Sequence, residues 1–265
     1  MKNFIKIFSI CVIVGSLLGL SRPAKAMTLV DLELVLAVDV SGSISGSRFN
    51  LQQQGYVDAF NSATIYNAIQ SGQHGAIAVS FVYWSTNQVN PIGWTLINDQ
   101  ASSQAFATAI ANASRPSASD VGLLTALGDA VTYSSGLFAQ SPYVGTRRVI
   151  DISANGDANT GSSAASARLG ALNTVDTING LPIVTLPNSP LPQYFIDEVI
   201  GGPDAFIEIA DGFDDFGRAI LAKLEVEVTP PTGGPIPPAA IPEPATLLLF
   251  GVPVFGALAR KRFQA

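Results

Sequence analysis

The chain is expected to form an α/β fold, a doubly wound, mostly parallel sheet with one antiparallel edge strand and helices on both faces. Three observations predict it. Leu32–Val40 is a nearly continuous apolar run, the pattern of a strand covered on both sides. A second such run, Ala76–Trp84, is followed after Ser85-Thr86-Asn87 by a strand-like Gln88–Ile97, which reads as a hairpin and supplies the antiparallel edge. Beyond it, strand and helix patterns alternate to about residue 226, with no internal repeat and no place to divide a second domain.

The elements follow in order. Ser47 is a candidate N-cap for a helix over Arg48–Gln70. Ala101–Ala113 and Thr125–Phe138 read as helices, Arg148–Ser153 as a short strand, and Ala164–Thr177 as a helix. Ile178–Leu186 is a strand, Gln193–Val199 a helix, Phe206–Ala210 a strand, and Asp214–Val226 the closing helix.

Composition narrows the function. The 265 residues are 48% hydrophobic, enough to bury a sizeable core. Seven of the 14 basic residues lie at the two ends: Lys2, Lys6, Arg22, Lys25, Arg260, Lys261 and Arg262. The stretch between holds seven basic against 19 acidic residues, a balance of −12, which repels phosphate backbones and argues against nucleic acid as a partner. That charge suits a cationic partner or a bound divalent ion. With Cys11 alone there is no intramolecular disulfide and no cysteine-built zinc site, and with His74 the single histidine most His-based metal centres are excluded as well.

Both ends read as addresses. Residues 1–26 carry Lys2 and Lys6, an apolar run from Ile7 to Leu20, and Ala24-Lys25-Ala26, the layout of a cleaved signal peptide; an N-terminal membrane anchor is the alternative. The intervening domain is assigned to 27–228, and a Pro/Gly-rich linker to 229–241. Residues 242–265 begin with Pro242-Glu243-Pro244, continue through an apolar stretch from Ala245 to Ala259, and end in Arg260-Lys261-Arg262. A basic cluster after an apolar helix holds that end in the cytoplasm and places the domain outside. This ending resembles the PEP-CTERM sorting signal of Gram-negative bacteria that make exopolysaccharide. The resemblance implies processing by an exosortase, transient membrane attachment through the N-terminal signal and C-terminal helix, and export through the inner membrane to the cell surface or extracellular matrix. An ordinary tail anchor is the plainer alternative.

The candidate chemistry sits at the end of the first strand, where ligands bind in such sheets. In Asp39-Val40-Ser41-Gly42-Ser43, side chains at alternate positions point the same way, so one carboxylate and two hydroxyls converge. These are hard oxygen ligands, suited to magnesium first, with calcium or manganese as alternatives. The D-x-S-x-S sequence resembles the metal-ion-dependent adhesion site (MIDAS) of von Willebrand factor A (vWA) domains, which are Rossmann-like. The resemblance covers about residues 30–227. It implies a threonine ligand from a later loop, matched by Thr125, and an aspartate after the fourth strand, where Asn155 stands instead. Thr125 could alternatively cap its helix, and Asn155-Gly156 could be a simple turn. A neutral Asn155 lowers intrinsic metal affinity and leaves the cation wanting an acidic ligand from a partner. Asp157 and Asp129 are possible additions to the metal shell, Asp157 as a substitute carboxylate and Asp129 either as a neighbour of the ligands or as a solvated helix residue. Arg147-Arg148-Val149-Ile150-Asp151-Ile152-Ser153 and Ile178-Asn179-Gly180-Leu181-Pro182-Ile183 also look like an uncharacterised family of secreted bacterial proteins with this fold.

The expected function is therefore a non-catalytic, metal-dependent adhesion module that engages a surface protein or an acidic exopolysaccharide. A structural matrix component with a vestigial metal site is the alternative. A hydrolase is disfavoured: its base would have to be His74, expected at the opposite end of the sheet from Asp39, and the chain contains neither a G-x-S-x-G elbow nor a P-loop.

Overall fold

A computed structural model describes residues 27–230. The signal peptide, most of the linker and the sorting signal with its apolar stretch lie outside the described residues. Among those described, no helix is long and apolar enough to cross a membrane.

Five strands form the main sheet, in the order β4-β3-β2-β6-β7. They are β2 (Leu32–Asp39), β3 (Ile77–Trp84), β4 (Gln88–Ile97), β6 (Arg148–Ala154) and β7 (Thr177–Pro182). All neighbours are parallel except β3 and β4, so the antiparallel edge strand is where the hairpin places it. Two short strands, β1 (Thr28–Val30) and β5 (Tyr143–Gly145), pair in parallel as a separate ribbon. Neither has enough length for its pattern to register in the sequence.

Helices cover both faces. Along β2, Leu32, Leu34, Leu36 and Val38 enter one core with α1 (Gly46–Asn61), α2 (Ala63–Gln70), α3 (Gln100–Asn112) and α8 (Phe216–Val228). Val35 and Ala37 enter the other, with α5 (Leu127–Leu137) and α6 (Ala164–Ala171). Every residue of β2 is buried, which is why its run shows no alternation in hydrophobicity. Two short helices, α4 (Ala118–Val121) and α7 (Leu191–Tyr194), complete the set.

Several boundaries differ from the sequence reading. The helix expected over 48–70 is broken at Ser62, whose backbone is extended (φ −77°, ψ 142°). Its hydroxyl donates to Ala59 O and accepts from Ile65 N, closing α1 and opening α2 together. The cap of α1 is Ser45 rather than Ser47, accepting from Arg48 N at 3.3 Å, so the helix starts closer to Ser43. The segment expected as helix 193–199 is one turn of α7 followed by a π turn, Phe195–Val199. Phe206–Ala210 makes isolated parallel bridges to the β7 side of the sheet instead of a full strand.

The candidate metal site

β2, β3, β6 and β7 run parallel, so their carboxyl ends share one edge of the sheet. Asp39 is the last residue of β2, in register with Trp84 of β3, while Val38 faces Ser153 of β6. The chain then turns out of the sheet. Ser41 N donates to Asp39 Oδ1 at 2.7 Å, a turn that the aspartate side chain itself closes. Ile44 N donates to Ser41 O, and Gly42 N to Leu123 O at 2.9 Å. A Cβ on Gly42 would lie 3.1 Å from that Leu123 oxygen, so glycine is what lets the two loops close.

The oxygens of the motif form a chain. Ser41 Oγ is 3.2 Å from Ser43 Oγ, and Ser43 Oγ donates to Asn155 Oδ1 at 2.8 Å. Asn155 directly follows β6 and is half-buried, Ser43 is exposed, and Asp39 and Ser41 are buried. Asp39, Ser41, Ser43 and Asn155 are thus brought together.

Thr125 is held at the same edge by its backbone. Its N–H donates to Asn159 Oδ1 at 2.8 Å and its carbonyl accepts from Asn159 N, while Ser85 bonds to both Leu124 and Ala126. Asp157 is exposed on the loop after β6. Asp129 spends Oδ1 on Ser162 N at 2.9 Å, fastening the end of that loop to α5. His74 lies at the far edge, its N–H on the Asp31 carboxylate ahead of β2, so it is remote from Asp39.

Asp39 carries the electrostatic signature of the site. It is fully buried, and its Oδ2 has no hydrogen-bond partner among the described residues. Burial pushes its pKa from 3.8 up to about 6, against the opposing pull of hydrogen bonds from Ser41. A desolvated carboxylate oxygen left unsatisfied costs free energy unless something cationic meets it. With Ser41, Ser43 and Asn155 adjacent, the set is one carboxylate and neutral oxygens, the donor chemistry of a hard divalent cation. Among the described residues no three His, Cys, Asp or Glu side chains cluster as metal ligands, so these hydroxyl and amide oxygens are essential to any such site.

Two residues that the sequence does not single out organise this loop. Arg115 donates from Nη2 to Val40 O at 3.2 Å and Ile44 O at 2.5 Å, gathering the carbonyls that flank Ser41 and Ser43. Asn159 clasps Thr125. Arginine capping of loop carbonyls leaves no local spacing to read, and Asn159 sits within a polar run where any residue could be a turn. Arg115→Ala is expected to loosen the 40–44 loop, destabilising the protein by about 1–3 kcal/mol in urea unfolding. It is also expected to weaken cation binding by calorimetry without removing a ligand.

The fold is similar to those of several solved structures. Proximal thread matrix protein 1 from the mussel byssus aligns with a TM-score of 0.56 and 11% identity, over 76% of this chain and 48% of that one. The chain thus spans about half the length of that relative. The same mussel protein is described with a zinc-occupied MIDAS motif, at a TM-score of 0.53, 12% identity and the same coverage. The PilB minor pilin from Streptococcus sanguinis aligns at 0.54 and 11% identity, over 76% of this chain and 61% of that one. The pilus adhesin SpaC from Lactobacillus rhamnosus GG, in an open conformation, aligns at 0.52 and 13% identity, over 76% and 30%. These likenesses establish a vWA-like fold. No curated protein matches the chain in sequence. A model of the PEP-CTERM protein-sorting motif matches residues 240–262, which marks an exported surface protein processed by an exosortase. The model of a second family, described as a protein of unknown function (DUF1194), matches residues 29–232, and to that family the chain belongs.

Proposed function

We propose that this protein is a non-catalytic adhesion module that grips a carboxylate of its partner through a divalent cation. The observation that carries the reading is the buried, unpartnered Asp39 Oδ2 beside the hydroxyls of Ser41 and Ser43. Asp39, Ser41, Ser43, Thr125 and Asn155 would hold the ion, magnesium being favoured by an all-oxygen set with one charge. Bound there, the cation supplies a Lewis-acidic position for an external acidic ligand. Leu123 and Leu124, 60% and 49% exposed, stand beside Gly42 and supply an apolar rim for a docking partner. The zinc-occupied MIDAS of the mussel protein and the adhesin role named for SpaC support the same use of this fold. The partner is an acidic exopolysaccharide or a surface protein.

A matrix role with a decayed site is the second reading, favoured by the neutral Asn155 and by the matrix role named for the mussel protein. Binding to alginate, a polysaccharide rich in carboxylates, separates the two. Retention on immobilised alginate in magnesium, released by chelator and absent in Asp39→Asn, is the result expected of the adhesion module. Retention indifferent to chelator, or none in any cation, contradicts it.

A further inference from the structure

The opposite face of β6 holds a second polar cluster that the cation site does not use. Strand alternation sends Ile150, Ile152 and Ala154 into the core with α5 and α6, and turns Asp151 toward α8. There Asp151, Lys223 and Glu227 meet, at 0%, 0% and 2% exposure. Lys223 Nζ lies 3.0 Å from Asp151 Oδ1 and in close contact with Glu227 Oε1. The approach to Asp151 lacks hydrogen-bond alignment, leaving both Asp151 oxygens without such a partner among the described residues. The Phe206 ring lies 5.0 Å below the ammonium, and Asn179 Nδ2 donates to Glu227 Oε1 at 2.8 Å.

One cation between two carboxylates in a dry core leaves an excess negative charge, which one proton removes. Burial, and then the charge of Glu227, raise the pKa of Asp151, which favours the shared proton on Asp151. The box then holds an ammonium, a carboxylic acid and a carboxylate, with the Lys223 nitrogen 3.0 Å from a carboxyl oxygen of Asp151.

We propose that Lys223 and Asp151 are joined by an amide bond that the folded chain forms by itself, with Glu227 moving the protons. Glu227 takes one proton from the Lys223 ammonium. The freed amine attacks Cγ of the protonated Asp151 carboxyl, forming the C–N bond. Glu227 relays the surplus nitrogen proton to the departing hydroxyl, the C–O bond breaks, and one water leaves. The products are a neutral amide, water, and Glu227 as a carboxylic acid. No oxidant, reductant or cofactor is required. Two desolvated charges are replaced by a neutral amide and a neutral acid, and exclusion of water opposes the reverse reaction.

The bridge would tie β6, four residues before Asn155, to the helix that ends at Val228 and leads toward the sorting motif at 240–262. A pull between a bound partner and the C-terminal end would then bypass residues 152–222. Only this mechanical use rests on the adhesion reading; the bond itself does not, and its test involves no cation.

The test is mass spectrometry of the full chain, intact and after tryptic digestion in urea. The expected chain is lighter by one water. Trypsin should fail to cut after Lys223, and a branched peptide should join Val149–Arg168 to the peptide beginning at Ala219. Glu227→Ala, shown folded by circular dichroism, should remain linear. An unmodified wild-type mass with ordinary cleavage after Lys223 overturns the proposal outright, whether or not any variant folds. A branched peptide persisting in Glu227→Ala overturns the role given to Glu227.

Discussion

Asp39→Asn is expected to weaken cation binding about a hundredfold while leaving the cation-free protein more stable than wild type at neutral pH. The substitution keeps the side-chain oxygen that accepts from Ser41 N and removes only the charge. Losing the single carboxylate of the site sacrifices a buried charge pair worth about 3 kcal/mol or more, about a hundredfold in affinity. The effect on stability runs the other way. The carboxyl titrates at about 6 in the folded protein against 3.8 for an ordinary aspartate, so the native state binds its proton more tightly than the unfolded chain. Stability of the cation-free wild type should therefore fall as pH rises from about 4 to about 6, by up to about 3 kcal/mol, and stay low above that. The variant should show no such slope from this position. Urea unfolding at pH 4, 5, 6 and 7, with chelator and with magnesium, measures both effects. Magnesium should stabilise the wild type alone, as a ligand bound only by the native state does. A variant less stable than wild type at pH 7 with chelator would mean that Asp39 is satisfied within the protein and has no need of a cation.

Asn155→Asp is expected to tighten magnesium binding about tenfold to a hundredfold. The side chain already lies on the oxygen chain, accepting from Ser43 at 2.8 Å, so a carboxylate there enters the shell without a change of backbone. At an effective dielectric near 20, two opposite unit charges about 4 Å apart attract by about 4 kcal/mol, and part of what a second carboxylate adds is lost to desolvation and to repulsion from Asp39. The more neutralised cation should hold an external carboxylate less tightly. Tighter magnesium by calorimetry with weaker retention on alginate is thus the paired outcome. An unchanged magnesium affinity would assign Asn155 to the Asn-Gly turn alone.

The sheet was legible because its central strands are buried on both faces: β2 and β3 appear as apolar runs, and the hairpin residues 85–87 announce the antiparallel edge. Elements whose ends depend on side-chain capping were less legible. Ser45, Ser47 and Ser62 are chemically alike in sequence, and only tertiary placement selects Ser45 and Ser62 as caps. Within the site, Asp39, Ser41 and Ser43 could be read because they are close in sequence, although a turn after Asp39, and not the alternation of an extended strand, brings them together. Arg115 and Asn159 could not, since each acts on backbone groups many residues away. Asp151, Lys223 and Glu227 were hidden for a related reason. Their meeting requires β6 and α8 to pack, and a buried lysine looks like any other lysine until its neighbours are known.

Anomalous diffraction from crystals grown with manganese tests the cation site most directly. A single strong peak is expected within coordination reach of Ser41 Oγ and Ser43 Oγ, in front of Asp39 and flanked by Thr125 and Asn155, and it should vanish in Asp39→Asn. No peak at that edge of the sheet under saturating manganese, or a peak only at carboxylates elsewhere on the surface, would contradict it.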